Sequence, residues 1–109
     1  MPFLDRNITP TLKSLLASYP CVAILGVRQC GKTALSKEAF PDWQYFDLED
    51  ADHFELINND PKFFFSQYPA QTIIDEAQLC PKLFSTLRGV IDSDRSQNGR
   101  FIITGSSSP

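Results

Sequence analysis

Cysteine is scarce and unsuited to a framework: the chain has three, Cys21, Cys30 and Cys80, an odd number without metal-ligand spacing. That excludes a disulfide scaffold and argues for a reducing compartment. Long hydrophobic runs are missing too. Met1 to Arg6 lacks the apolar stretch of a signal peptide, and no later run has the length to span a bilayer. A cytoplasmic protein with no membrane partner is therefore expected. Nor is there an excess of positive charge: the net charge is -3, so a nucleic-acid footprint is not indicated. What is present is ordinary, with 42% hydrophobic and 21% charged residues among 109, enough for one domain with a core.

Against that background one stretch stands out. Gly26-Val27-Arg28-Gln29-Cys30-Gly31-Lys32-Thr33 fits the phosphate-binding pattern G-x-x-x-x-G-K-[ST]. Its glycines allow a compact backbone whose N–H groups converge on a polyphosphate. Lys32 would reach the β- and γ-phosphates, and the Thr33 hydroxyl would bind Mg²⁺. The pattern alone arises by chance, so context decides. Cys21 to Leu25 is apolar and reads as a buried parallel strand. Ala34 to Ala39 reads as a helix stopped before Pro41. Strand, loop and helix form the arrangement such a loop needs, because the helix N-terminus adds partial positive charge beneath the phosphates. Gly26, Val27, Arg28, Gln29, Cys30, Gly31, Lys32, Thr33 and Ala34 are the candidate nucleotide-binding residues.

Around this unit the punctuation is regular. Thr9-Pro10 predicts a helix start, with Leu12, Leu15 and Leu16 on one face and Pro20 beyond its end. Trp43 to Leu48 predicts a strand. Asp47, Glu49, Asp50 and Asp52 read as a solvated loop in preference to part of a pocket. Asp50 to Ile57 suggests a short helix, and Asp60-Pro61 caps another that carries Phe63, Phe64 and Phe65. Consecutive helical residues cannot all point one way, so one of these rings is expected to stay exposed. Pro81 opens a further helix with Leu83, Phe84, Leu87, Val90 and Ile91 as its core stripe. Asp92 to Gly99 reads as a loop.

Two other strands end in polar groups. Thr72-Ile73-Ile74-Asp75-Glu76 places adjacent carboxylates after an apolar run. Alone this would be an ordinary helix cap. Downstream of a phosphate loop, Asp75 would hold Mg²⁺ through its water shell, and Glu76 would orient or deprotonate an attacking water. Strand alternation is expected to separate the two acids' directions. Phe101-Ile102-Ile103-Thr104-Gly105-Ser106-Ser107 ends in hydroxyls that could reach that water or the γ-phosphate. Ligands of open parallel sheets bind at the carboxyl ends of strands, where all three motifs fall.

Together Gly26–Thr33, Ile73–Glu76 and Phe101–Ser107 resemble the Walker A, Walker B and sensor-1 regions of AAA-type ATPases. Through an arginine and helix near the start, Ala23–Thr33, Phe46–Asp50, Ile74–Gln78 and Ile103–Ser107, the chain is similar, more closely, to a prokaryotic family of predicted ATP-binding proteins whose AAA-like domain precedes a C-terminal domain of unknown function. The resemblance covers nearly all of the chain. It implies a three-layer α/β P-loop NTPase sandwich with a mostly parallel sheet, and binding of ATP and Mg²⁺ with hydrolysis. It also implies Lys32 as phosphate lysine, Thr33 and Asp75 as metal partners and Glu76 as catalytic glutamate. Ser106 best matches the sensor, with Thr104 second; Arg28 has no fixed role.

Such ATPases continue past sensor 1 into a further strand, an arginine finger and a lid, so residues 1–109 are expected to be a C-terminally truncated AAA-like domain. Arg88, Arg95 and Arg100 read as surface residues rather than trans-acting fingers. The sheet order implied by the resemblance, 5-1-4-3-2, would leave Cys21–Leu25 as an edge strand in this chain. That apolar edge is open to self-association or to pairing with a missing C-terminal segment. Three functions stay open: an ATPase module completed in an oligomer, a nucleotide-binding remnant without turnover, and a small-molecule P-loop kinase. Adjacent Asp75-Glu76 favours water as acceptor, hence hydrolysis.

Overall fold

The computed structural model describes residues 9–27 and 37–107. Its sheet has four parallel strands: β1 (Cys21–Val27), β2 (Gln44–Asp47), β3 (Thr72–Asp75) and β4 (Phe101–Ser107), in the order β1-β4-β3-β2. The helices are α1 (Thr9–Ser18), α2 (Ala51–Asn59), α3 (Pro61–Gln67) and α4 (Lys82–Ser93), with residues 37–39 also helical and a 3₁₀ turn at Ala77–Leu79. The expected α/β layering is present, and β1 lies at an edge of the described sheet, as the resemblance implied.

Alternation along the strands sends side chains to two cores. On one face Phe46, Ile74 and Phe101 pack with Ile57 of α2, Phe64 and Phe65 of α3, and Leu83 and Leu87 of α4. On the other, Ile24, Ile73 and Ile102 pack with Leu12 and Leu16 of α1 and with Ala39. Central β3 is buried at every position, the polar Thr72 and Asp75 at its ends included.

The local signals work as chemistry. Asp50 accepts the N–H groups of Asp52 and His53 at the start of α2. Asp60 accepts that of Phe63 at 3.0 Å, with Pro61 in the first helical turn of α3. Of the three phenylalanines, Phe63 is the exposed one, at 56%. Two stripe assignments need correction. Leu15 and Phe84 are exposed rather than core-facing, because two positions of each turn already cover the sheet. Glu49, Asp50 and Asp52 are exposed, in keeping with a solvated acidic loop, while Asp47 is half-buried.

Arg100 also departs from expectation. It is buried at 6% exposure, not a surface residue. Its Nε donates to the Pro69 carbonyl at 3.0 Å and its Nη1 to that of Val90 at 3.2 Å, with the guanidinium over the Phe101 ring. A desolvated cation is stable only with such partners. It therefore ties α4 and the approach to β3 to the amino end of β4. Arg95 does sit at the surface, bridging to Asp92.

Candidate functional site

At the carboxyl ends of β3 and β4 two acids are buried together. Asp75 and Glu76 are each only 4% exposed, and both bond to Thr104 of β4. The Thr104 hydroxyl donates to Asp75 Oδ1, while its oxygen accepts the Glu76 N–H at 3.0 Å. The Tyr45 phenol of β2 donates to Asp75 Oδ2 at 2.6 Å. Register explains the convergence. Tyr45 lies beside Ile73, and Ile73 beside Ile102. Two residues on, Asp75 and Thr104 therefore share the face that carries Ala39.

Glu76 reaches its place differently from the way the strand pattern suggests. β3 ends at Asp75, and Glu76 adopts the left-handed conformation, φ 58° and ψ 47°. The acids are separated by this turn of the backbone rather than by strand alternation. For a residue other than glycine that conformation costs about 1–2 kcal/mol, and such strain gathers at functional sites. Glu76 does not serve as an ordinary helix cap: its side chain makes no capping bond to the 3₁₀ turn. Instead Oε1 accepts from Gln78 Nε2 at 2.7 Å. The Gln78 amide lies against Gly105, where an added Cβ would sit 3.2 Å from its Oε1.

The strand leading to the glycine-rich loop is β1, and its Gly26 pairs with Ser106 of β4 in the register. The first loop glycine and the favoured sensor position thus lie side by side along the backbone. Arg28, Gln29, Cys30, Gly31, Lys32, Thr33 and Ala34 lie outside the described residues. Asp75, Glu76 and Thr104 are brought together. Tyr45 and Gln78 complete the cluster; Gln78 closes the Ile74–Gln78 stretch that carries the family resemblance, whereas no motif singled out Tyr45. A tyrosine within a strand, whose phenol needs a partner when buried, was the available signal for the first.

Among the described residues no group of three or more His, Cys, Asp or Glu side chains could cage a metal. One buried carboxylate held by hydroxyls suits Mg²⁺, which keeps several waters and binds through one or two carboxylates plus substrate phosphates. A cavity of about 230 Å³ that shares Tyr45 with the cluster is lined by Lys37, Phe40, Pro41, Trp43, Tyr45 and Ile73. The Lys37 ammonium lies 4.4 Å from the Tyr45 ring centroid. No helix among the described residues is long and apolar enough to cross a membrane.

Comparison with known proteins gives the chain's family. The chain is 35% identical over 107 residues to an uncharacterized protein of Mycobacterium tuberculosis and to one of Mycobacterium bovis. The match covers 95% of this chain and 24% of each relative, so the chain spans about a quarter of their length. No solved structure matches. Residues 18–109 match the AAA domain family, a family of nucleotide-binding, ATPase-like modules, and the chain belongs to it.

Proposed function

We propose that the chain, as part of an AAA-like ATPase domain, binds ATP with Mg²⁺ and hydrolyses it. The observation that carries this reading is the burial of Asp75 and Glu76 at adjacent strand ends, both tied to Thr104. Two desolvated acids cost stability, and a fold concentrates them where charge is used. Gly26 to Ala34 would surround the phosphates, with Lys32 against their β- and γ-oxygens. Thr33 and Asp75 would hold Mg²⁺, which when bound spreads the charge of the phosphates and of the leaving group. Glu76 would take the proton of the attacking water. Ser106 keeps the sensor role. Thr104, whose proton goes to Asp75 and whose oxygen receives the Glu76 N–H, acts through those two acids as a positioning residue.

Binding and turnover assays on the parent and two variants test the assignment. Glu76→Gln should bind Mg-ATP like the parent while turnover falls about a hundredfold. Lys32→Ala should weaken binding itself. A Gln variant as fast as the parent removes the hydrolytic role of Glu76. A parent that binds without turnover leaves a nucleotide-binding module in its place. The place of β1 at an edge of the described sheet, together with the 72% exposure of its Leu25, supports self-association through strand pairing as a second part of the reading. Sedimentation over a concentration series tests that part.

A further inference from the structure

We infer that Tyr45 is a positioning residue that sets the metal requirement of the site, through its hydrogen bond to Asp75. The inference rests on the reading of Asp75 as the metal-side carboxylate. The phenol-to-Oδ2 distance of 2.6 Å is that of a strong O–H···O⁻ bond. The Thr104 hydroxyl occupies Oδ1. Donors on both oxygens restrain rotation of the carboxylate about its Cβ–Cγ bond and so fix the direction it presents to a metal-bound water. Thr104 and Tyr45 come from β4 and β2, the strands on either side of β3, so the carboxylate is gripped from both flanks.

The phenol is itself held. Tyr45 starts level with Ile73, two residues short of Asp75, so its ring runs along the sheet towards the strand ends. The Lys37 ammonium lies over that ring at 4.4 Å. A cation over an aromatic face is attracted to it, which restrains the ring. Phenylalanine at this position could fill the same space but could not orient the acid. Partners one step removed from a metal commonly change its affinity ten- to a hundredfold on mutation.

The test measures equilibrium binding of a fluorescent ATP analogue to the full chain while Mg²⁺ is titrated. It compares the parent, Tyr45→Phe, Asp75→Asn and the double variant, each first checked for cooperative unfolding. With EDTA, parent and Tyr45→Phe should bind the analogue equally. With Mg²⁺, the half-saturating concentration for Tyr45→Phe should rise about tenfold. In the Asp75→Asn background the same substitution should change nothing. Should Tyr45→Phe follow the parent's Mg²⁺ curve, the phenol is a structural hydrogen bond and the inference falls alone. Should the parent's affinity not respond to Mg²⁺, the metal-site reading falls and the inference with it. Equal weakening with and without Mg²⁺ would also overturn it, because a general packing defect gives that result. The conservative Lys37→Met variant adds a graded check, with a shift in the same direction but smaller than that of Tyr45→Phe.

Discussion

Buried polar groups gather at both ends of the sheet, and they are satisfied in different ways. At the amino ends, Arg100 donates to two main-chain carbonyls, those of Pro69 and Val90, while its own carbonyl accepts the Thr72 N–H at 3.1 Å. At the carboxyl ends, Asp75 and Glu76 are held by side chains: the hydroxyls of Thr104 and Tyr45 and the amide of Gln78. Bonds to the main chain tie elements of the fold to one another. Bonds between side chains orient groups without being needed to join the strands. The amino end is thus built to stabilise and the carboxyl end to position.

The largest expected effect that sharpens this contrast is at Arg100. Arg100→Met keeps the stem over Phe101 but removes the guanidinium donor from the Pro69 and Val90 carbonyls, of which Val90 keeps the Ser93 hydroxyl at 2.8 Å. It should cost about 3 kcal/mol in denaturant unfolding, with unchanged nucleotide affinity in the folded fraction. Loss of affinity without loss of stability would break the comparison. Two glycines give a smaller, matched test. Gly99, at the amino end, has φ 66°, and an added Cβ would meet the Leu16 carbonyl oxygen at 3.1 Å. Gly99→Ala should cost about 1–2 kcal/mol, since neither its backbone nor its neighbour can yield. At Gly105 the added atom meets only side-chain ends, Gln78 Oε1 at 3.2 Å and Leu25 Cδ2 at 3.3 Å. Gly105→Ala should cost under about 1 kcal/mol, because alanine suits a strand better than glycine, yet it should slow turnover by shifting Gln78 from Glu76.

The smallest effect at neutral pH, one that grows only in alkali, belongs to Cys21, also at the amino end. Burial pushes its thiol from 9.0 up to about 11. The folded chain therefore holds this proton more tightly than the unfolded chain. Its contribution is fully present below pH 9 and is lost as pH rises towards 11. Cys21→Ala should unfold with a shallower pH dependence across that window, read from denaturant midpoints. An identical slope for parent and variant would show that the thiol is not desolvated.

Much of this arrangement was legible in the residues. Caps at Asp50 and Asp60, the buried run Thr72–Ile74 and the polar ends of β3 and β4 all follow from local chemistry, which a short window contains. The rest depends on neighbours distant in sequence. Nothing near Arg100 says that its acceptors will be Pro69 and Val90, so a lone arginine before a strand reads as surface. Tyr45 lies 30 positions from Asp75 and meets it only because β2 pairs with β3. The left-handed turn at Glu76 was hidden for another reason: residues other than glycine rarely adopt it, so the strand pattern gave no cue to its use here.

The central claim is that the carboxyl-end cluster serves a metal–nucleotide complex, and calorimetric titration of ATP into the purified chain tests it most directly. The parent and Asp75→Asn are each measured with Mg²⁺ and with EDTA. The account predicts that Mg²⁺ tightens binding to the parent and that Asp75→Asn abolishes this gain while the metal-free affinity stays the same. A parent that binds ATP equally in both conditions, or an Asp75→Asn variant that keeps the full gain, would contradict it.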